Sequence, residues 1–297
     1  MRIDTHVHSN HSDGRSSVRQ IFSLAKRVNL DVIALTDHDT NSGWQQAQYY
    51  SKINSIGFIP GSEISTSYQG KIFHLLAYLY DESDSVLQNL YSKSKKLRFL
   101  RFMQMFEKVE KDFDIRIKDL FPQDYSGDKT LKELKDLQLP LGRPHLADAI
   151  IKRGYCKNRD ECFSTILHPC EKYYVPYIPT DINEVVKIVV NAGGGPVLAH
   201  AFSQKRGKTI DEKTLLSLKK LGLLGVEINH REHNVTDRQK AYDLSKKLGL
   251  LQFGASDYHG SGKPNHLGEN LTAYETILEL EKHTFRKVEW NGHKSNS

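Results

Sequence analysis

The sequence predicts an α/β protein in which a barrel-like alternation of strands and helices is interrupted once by a helical segment. Three observations carry this. Short strand-like runs at residues 31–36, 196–199, 225–228 and 252–256 alternate with stretches of helical periodicity, as expected of strands joined by crossover helices. Polar residues follow several of these runs directly, in Asp37-His38-Asp39, in His200 and in Asp257-Tyr258-His259. That is where α/β barrels carry their chemistry. From about residue 81 to residue 174 the alternation gives way to long helical patterns.

Taken in order, the chain opens on a strand carrying His6 and His8, whose i, i+2 spacing puts both imidazoles on one face. Asp13 and Gly14 follow, where the chain turns and a carboxylate can return over the same site. Ser17 and Gln20 form a capping-box pattern ahead of Val18, Ile21, Phe22, Ala25 and Val28, which share one helical face. After the run at 31–36, residues 43–53 read as a helix, and residues 57–60 lead through Gly61 to Glu63. A turn at 68–70 precedes a strand over 71–80 with His74 inside an apolar run, a place where, taken alone, a hydrogen-bonded core histidine is more ordinary than a ligand.

Leu97, Leu100, Met103, Phe106, Val109 and Phe113 then mark a long helix whose other face carries Lys93, Lys95, Lys96, Arg98, Arg101 and Lys108, suited to a nucleic-acid backbone or to water. Residues 121–129 are turn-rich, 131–137 read as a short helix, and Gly142-Arg143-Pro144-His145 opens another helix whose N-terminus could receive an anion. Alternation resumes with a helix over 181–192, a glycine stop at 193–195, and helices over 211–221 and, from a Thr236/Gln239 capping box, to Leu248. A polar tail starts near Asn291.

With 297 residues the chain suits one large domain or a domain with an insertion, and 42 Lys and Arg against 36 Asp and Glu leave it at +6. A solvated basic surface accounts for that charge as well as an acidic ligand does. No apolar leader or spanning segment is read, so a cytoplasmic protein without membrane contact is expected. Cys156, Cys162 and Cys170 lack the spacing of a disulfide framework or zinc knuckle.

His6, His8, Asp13, His38, Glu63, His74, His200, Asp257 and His259 all stand at or beside predicted strand ends. Such a crowd of imidazoles and carboxylates on one rim would be repulsive or expensively desolvated without cations, whereas two or three divalent ions would satisfy it.

His6-Val7-His8, Thr36-Asp37-His38-Asp39, Gly61-Ser62-Glu63-Ile64-Ser65, Ala199-His200 and Ser256-Asp257-Tyr258-His259 resemble, in order, the motifs of the PHP (polymerase and histidinol phosphatase) superfamily. The likeness is greatest to its TrpH-like group of nucleoside 3′,5′-bisphosphate phosphatases and 5′–3′ exoribonucleases. It spans residues 1 to about 80 and about 180 to 268, and departs from the family in Ala201, where relatives usually have proline.

The resemblance implies a distorted (β/α)7 barrel over residues 1–80 and 175–290, with residues 81–174 as a helical insertion covering the site. It implies a trinuclear centre of Mn²⁺, Fe²⁺ or Zn²⁺. His6, His8, Glu63 and Asp257 would hold one ion, Glu63, His74 and His200 a second, and Asp13, His38 and His259 the third. Arg143, His145, Lys205 and Arg206 are the candidate substrate contacts. Asp39 reads as a partner orienting a ligand, and His11 and His230 lie near the motifs without an assigned role.

The expected function is a metal-dependent phosphoesterase. Metal-activated water, with His200, His259 and Asp257 nearest, would cleave phosphate monoesters or diesters of 3′,5′-bisphosphate nucleotides or the 5′ ends of short RNA. The alternatives are a phosphatase of the histidinol-phosphate type and a non-catalytic metal-binding module. No obligate protein partner is expected. No competing Ser-His-Asp or Cys-His arrangement and no Walker-type loop is found.

Overall fold

The computed structural model describes residues 1–120, 141–204 and 209–292. The expected features at 121–129 and 131–137, and the candidate contacts Lys205 and Arg206, lie outside the described residues.

Strand β1 (Ile3–Val7) is fully buried and leads through a loop to α1 (Val18–Arg27). The predicted reciprocal cap is present: the Gln20 N–H donates to Ser17 Oγ at 3.3 Å and the Ser17 N–H to Gln20 Oε1 at 2.8 Å. Strand β2 (Val32–Leu35) and helix α2 (Trp44–Asn54) follow as read. Strand β3 (Gly57–Tyr68) is longer than the sequence suggests. Its first four residues pair parallel with β2, and from Gly61 onward it pairs antiparallel with β4 (Lys71–Tyr78). Gln69 and Gly70, at φ 48° and 71°, make the two-residue hairpin turn.

β4 is antiparallel to β3 and also to β5 (Gly195–Ala199). The sheet then continues parallel through β6 (Gly225–Asn229) and β7 (Leu251–Gly254), in the order β1-β2-β3-β4-β5-β6-β7. Bridges Val7–Tyr258 and Ile3–Thr272 tie β1 to the segments that follow β7, and the Thr5 hydroxyl of β1 donates to the Gly254 carbonyl of β7, so the sheet nearly closes into a barrel distorted by one reversed strand. Because β4 is reversed, its N-terminal half lies at the rim where the parallel strands end. His74 therefore reaches the rim from inside a strand, not from a strand terminus.

Alternation divides the sheet's residues between two apolar clusters. Ile33, Leu35, Leu75, Ala77, Leu198 and Val226 pack with Ile21, Phe22, Trp44 and Ala47 of the surrounding helices. Val32, Ala34, Leu76, Tyr78, Val197, Ala199 and Phe253 belong to the cluster on the opposite, inner face. Burying such side chains contributes roughly 1.5–3 kcal/mol each relative to exposure.

The remaining α-helices among the described residues are α3 (Ser85–Phe113), α4 (Arg143–Lys152), α5 (Arg159–Ser164), α6 (Ile182–Asn191), α7 (Glu212–Lys220), α8 (Val235–Leu248) and α9 (Tyr274–Lys282). The α8 cap differs from the sequence reading. Asn234, not Thr236, accepts the Asp237 N–H at 2.8 Å, and Asp237 answers on the Asn234 N–H at 3.1 Å. Asparagine is the stronger cap, which leaves Thr236 inside the first turn.

The chain divides into two compact units, Met1–Tyr91 with Ile178–Ser297, and Ser92–Tyr177. The second has its own core of Phe102, Met105, Phe106, Leu146, Ile150 and Leu167. Arg159 grips Asp148 there with two hydrogen bonds, Nε to Oδ1 at 2.8 Å and a terminal nitrogen to Oδ2 at 2.6 Å. Of the basic residues on α3, Arg101 is committed within this unit, donating to the Val175 carbonyl and lying over the Tyr174 ring. No helix among the described residues is long and apolar enough to cross a membrane.

Candidate metal centre

Each expected ligand is placed by a local feature of the strand that carries it. His6 lies within β1 and His8 one residue past its end, with their Nε2 atoms 2.9 Å apart. The following loop is folded onto Asp37, whose carboxylate accepts the Ser9 N–H, the Ser9 hydroxyl and the Ser12 hydroxyl at 2.6–2.8 Å. Gly14 closes the loop so tightly that a Cβ there would stand 2.5 Å from the His8 carbonyl oxygen. This return brings Asp13 over the site, 3.2 Å from His259 Nε2 and 3.7 Å from His8 Nδ1.

Glu63 is the hub. Its Oε2 lies 3.3 Å from His6 Nε2, 3.1 Å from His8 Nε2 and 3.2 Å from His38 Nδ1. Its Oε1 lies 2.8 Å from His74 Nδ1 and 3.0 Å from His200 Nε2. Asp39 holds this part of β3 in place by accepting the Ser65 N–H and hydroxyl, so it orients the strand around Glu63. Asp257 directs Oδ1 toward His6, His8 and His259 at 3.4–3.6 Å, and Oδ2 toward Lys263 at 2.8 Å. Asp39, His200 and Asp257 have φ of 51°, 34° and 52°, a region that non-glycine residues enter at a cost, so strain gathers at this rim.

The structure therefore brings all nine expected residues together. Ligand atoms of three groups lie within 4.8 Å of one another: His6, His8, Glu63 and Asp257; His8, Asp13, His38 and His259; and His38, Glu63 and His74. Arg143 and His145 belong to the second unit. There Arg143 stacks over Phe163, and His145 Nδ1 accepts the Gly142 N–H at 3.2 Å. His11 turns to the Ser42 hydroxyl.

Sequence reasoning missed Glu227 and Lys263 and gave His230 no role. Glu227 is fully buried within β6, accepting from His6 Nδ1 at 2.8 Å and from the His200 N–H at 2.7 Å. The available signal was a carboxylate between the apolar residues Val226 and Ile228 of a strand, where charge is costly unless paired.

Electrostatically the cluster is one coupled unit. Burial works to raise Glu63, yet His38, His74 and His6 hold it well below the carboxylate range. Burial likewise opposes the ionisation of Asp13 and Asp257, but His259 and His38 depress the first strongly, and Lys263 and His259 the second. His8 is raised to about 9: burial opposes its charge, but Asp257 and Glu63 overcome that. His259 is lowered, by burial and then by Lys263 and His8, so it is held neutral.

The residues fit divalent cations. His259 Nδ1 donates to the Asp257 carbonyl at 2.8 Å, which leaves Nε2 with a lone pair. That nitrogen is buried, makes no hydrogen bond, and faces a carboxylate oxygen of Asp13. Two acceptors so placed are reconciled by a cation between them. Imidazole and carboxylate donors without thiolate suit Mn²⁺, Fe²⁺ and Zn²⁺ alike.

Residues 4–157, more than half of the chain, match the PHP domain. The chain belongs to the PHP domain family. It is 26% identical over 279 residues to a 5′-3′ exoribonuclease of Haemophilus influenzae, a match covering 94% of this chain and 97% of that one. It is also 26% identical over 261 residues to a 3′,5′-nucleoside bisphosphate phosphatase of Chromobacterium violaceum, covering 88% of each. Among solved structures, a protein of Bifidobacterium adolescentis assigned as a metal-dependent phosphoesterase superposes with a TM-score of 0.88 at 31% identity, covering 95% of this chain and 96% of that one. This PHP protein is accordingly a metal-dependent hydrolase of the phosphoesterase class.

Proposed function

We propose that this PHP phosphoesterase acts on nucleotides, removing phosphate from 3′,5′-bisphosphate nucleotides or trimming the 5′ ends of short RNA. The observation that carries the reading is the convergence of five imidazoles on the two oxygens of Glu63. The two nucleotide-directed relatives, similar over most of their length, support the substrate class.

In this reading His6, His8, Glu63 and Asp257 hold one ion. Glu63, His74 and His200 hold a second, and Asp13, His38 and His259 a third, each Mn²⁺, Fe²⁺ or Zn²⁺. Such ions supply activated water at neutral pH and neutralise phosphate charge. The chain's own residues do the rest. Glu63 spans the centre with both oxygens, and the buried Asp37 clamp keeps the Asp13 loop folded against it. Lys263, bonded to Asp257, adds a fixed positive charge beside the centre. Arg143 and His145 are kept as proposed phosphate contacts.

The test is a panel of adenosine 3′,5′-bisphosphate, 5′-phosphorylated short RNA and histidinol phosphate, each incubated with purified protein and Mn²⁺. Release of phosphate or nucleotide from either of the first two supports the proposal. Turnover of histidinol phosphate alone would reassign the substrate, and turnover of none would overturn the reading.

A further inference from the structure

Strand β6 places two residues against the centre whose side chains have metal-ligand chemistry, Glu227 and, one residue past its end, His230. Their hydrogen bonds give both another role. Glu227 is fully buried with its two oxygens each taken by a donor, Oε1 by His6 Nδ1–H at 2.8 Å and Oε2 by the His200 backbone N–H at 2.7 Å. With Nδ1 held as a donor, His6 can bind a cation only through Nε2, the atom that faces His8 and Glu63. The same carboxylate pins the backbone of His200, whose φ of 34° is a costly conformation.

His230 has the reverse polarity. Its Nδ1 accepts the Glu232 N–H at 3.1 Å, so the neutral ring carries its proton on Nε2. That nitrogen is buried, makes no hydrogen bond, and lies 3.6 Å from Asp257 Oδ2, the oxygen that Lys263 also approaches, while Asp257 Oδ1 faces the histidine pair. A protonated nitrogen cannot bind a cation.

We infer that β6 supplies positioning residues instead of ligands: Glu227 fixes His6 as an Nε2 donor and anchors His200, and His230 sets an N–H beside Asp257 Oδ2 so that Oδ1 is left for the ion. The inference rests on the metal-centre reading. Paired carboxylate–histidine contacts of this kind typically change metal affinity about 10–100-fold when lost.

The test is ¹⁵N-histidine NMR of the full chain, treated with chelator and then titrated with diamagnetic Zn²⁺. Before any metal is added His230 is expected with its proton on Nε2, and His6 with Nδ1 protonated within an imidazolium, because Glu63, Glu227 and Asp257 overcome burial and raise it well above its ordinary range. On titration, Zn²⁺ should shift His6 Nε2 directly while His230 Nε2 keeps its proton. A zinc-bound His230 nitrogen, or the opposite tautomer at either residue, would overturn the inference. Glu227→Gln offers one acceptor to two donors and should weaken Zn²⁺ binding about 10–100-fold. His230→Gln retains a donor near Nε2 and should keep the wild-type number of ions, so loss of one ion would make His230 a ligand after all. If wild-type protein binds no divalent ion, the metal-centre reading fails by itself, because the His230 Nε2 proton and the His6 Nδ1 proton are read without metal.

Discussion

Asp13 Oδ1 faces His259 Nε2 at 3.2 Å while His259 Nδ1 donates to the Asp257 carbonyl, so two electron-pair donors meet in a buried place. A cation reconciles them, and so does an amide. Asp13→Asn puts an N–H opposite the imidazole and should cost the ion assigned to Asp13, His38 and His259 while sparing the others. Metal analysis of the purified variant reads this directly, and a wild-type metal count would contradict the assignment.

Glu63 touches five imidazoles, so Glu63→Gln should act more broadly than any other single change. The fall in turnover should exceed the roughly 10–100-fold that loss of a supporting hydrogen bond costs. In chelator-treated protein the imidazoles lose their central counter-charge, and stability should drop by about 3–5 kcal/mol, as when one partner of a buried ion pair is removed. Steady-state kinetics and chemical denaturation of the variant provide the two readouts.

The pH dependence of stability should change sign with metal. His8, raised from 6.5 to about 9 in the fold, binds its proton more tightly when native than when unfolded. Its stabilisation is complete below pH 6.5 and is lost as pH climbs toward 9. Glu63, Asp13 and Asp257, all depressed, contribute above the ordinary carboxylate range and lose that contribution as pH falls through it. Chelator-treated protein should therefore melt highest in mildly acidic solution. Saturating Mn²⁺ requires deprotonated imidazoles and should make the melting temperature rise over pH 6–8 instead. Parallel melting curves with and without Mn²⁺ would argue against imidazole ligation.

Gly14 tests the loop that carries Asp13. A methyl group there would sit 2.5 Å from the His8 carbonyl oxygen, so Gly14→Ala must open the loop. About 1–3 kcal/mol of stability should be lost, with weakened metal binding although no ligand is altered. Thermal unfolding together with a Zn²⁺ titration would check both, and intact affinity would mean the loop does not position Asp13.

Much of this site was legible because its residues stand in short polar motifs after apolar runs. His38, His200, Asp257 and His259 could be found that way, and their convergence follows from strands that end on one rim. His74 was harder to place, since it lies inside a strand that turns out to run antiparallel to its neighbours, and strand direction is not written in local composition. Glu227 was hidden for a related reason: a single inward carboxylate in a short strand gains meaning only when His6 and the His200 N–H are seen on either side of it. Asp37 sits within a motif, yet its oxygens are spent on Ser9 and Ser12, which only the folded loop reveals. The Asn234 cap lost to Thr236 on paper because both patterns fit the same few residues.

The central claim is that the cluster around Glu63 holds divalent ions that the chain uses to hydrolyse nucleotide phosphate esters. The most direct measurement is phosphate release from adenosine 3′,5′-bisphosphate by chelator-treated protein as Mn²⁺ is restored, for the wild type and Glu63→Gln side by side. The account predicts turnover that rises with Mn²⁺ to saturation in the wild type and stays near background in the variant. Metal-independent turnover, or equal rates in the two proteins, would contradict it.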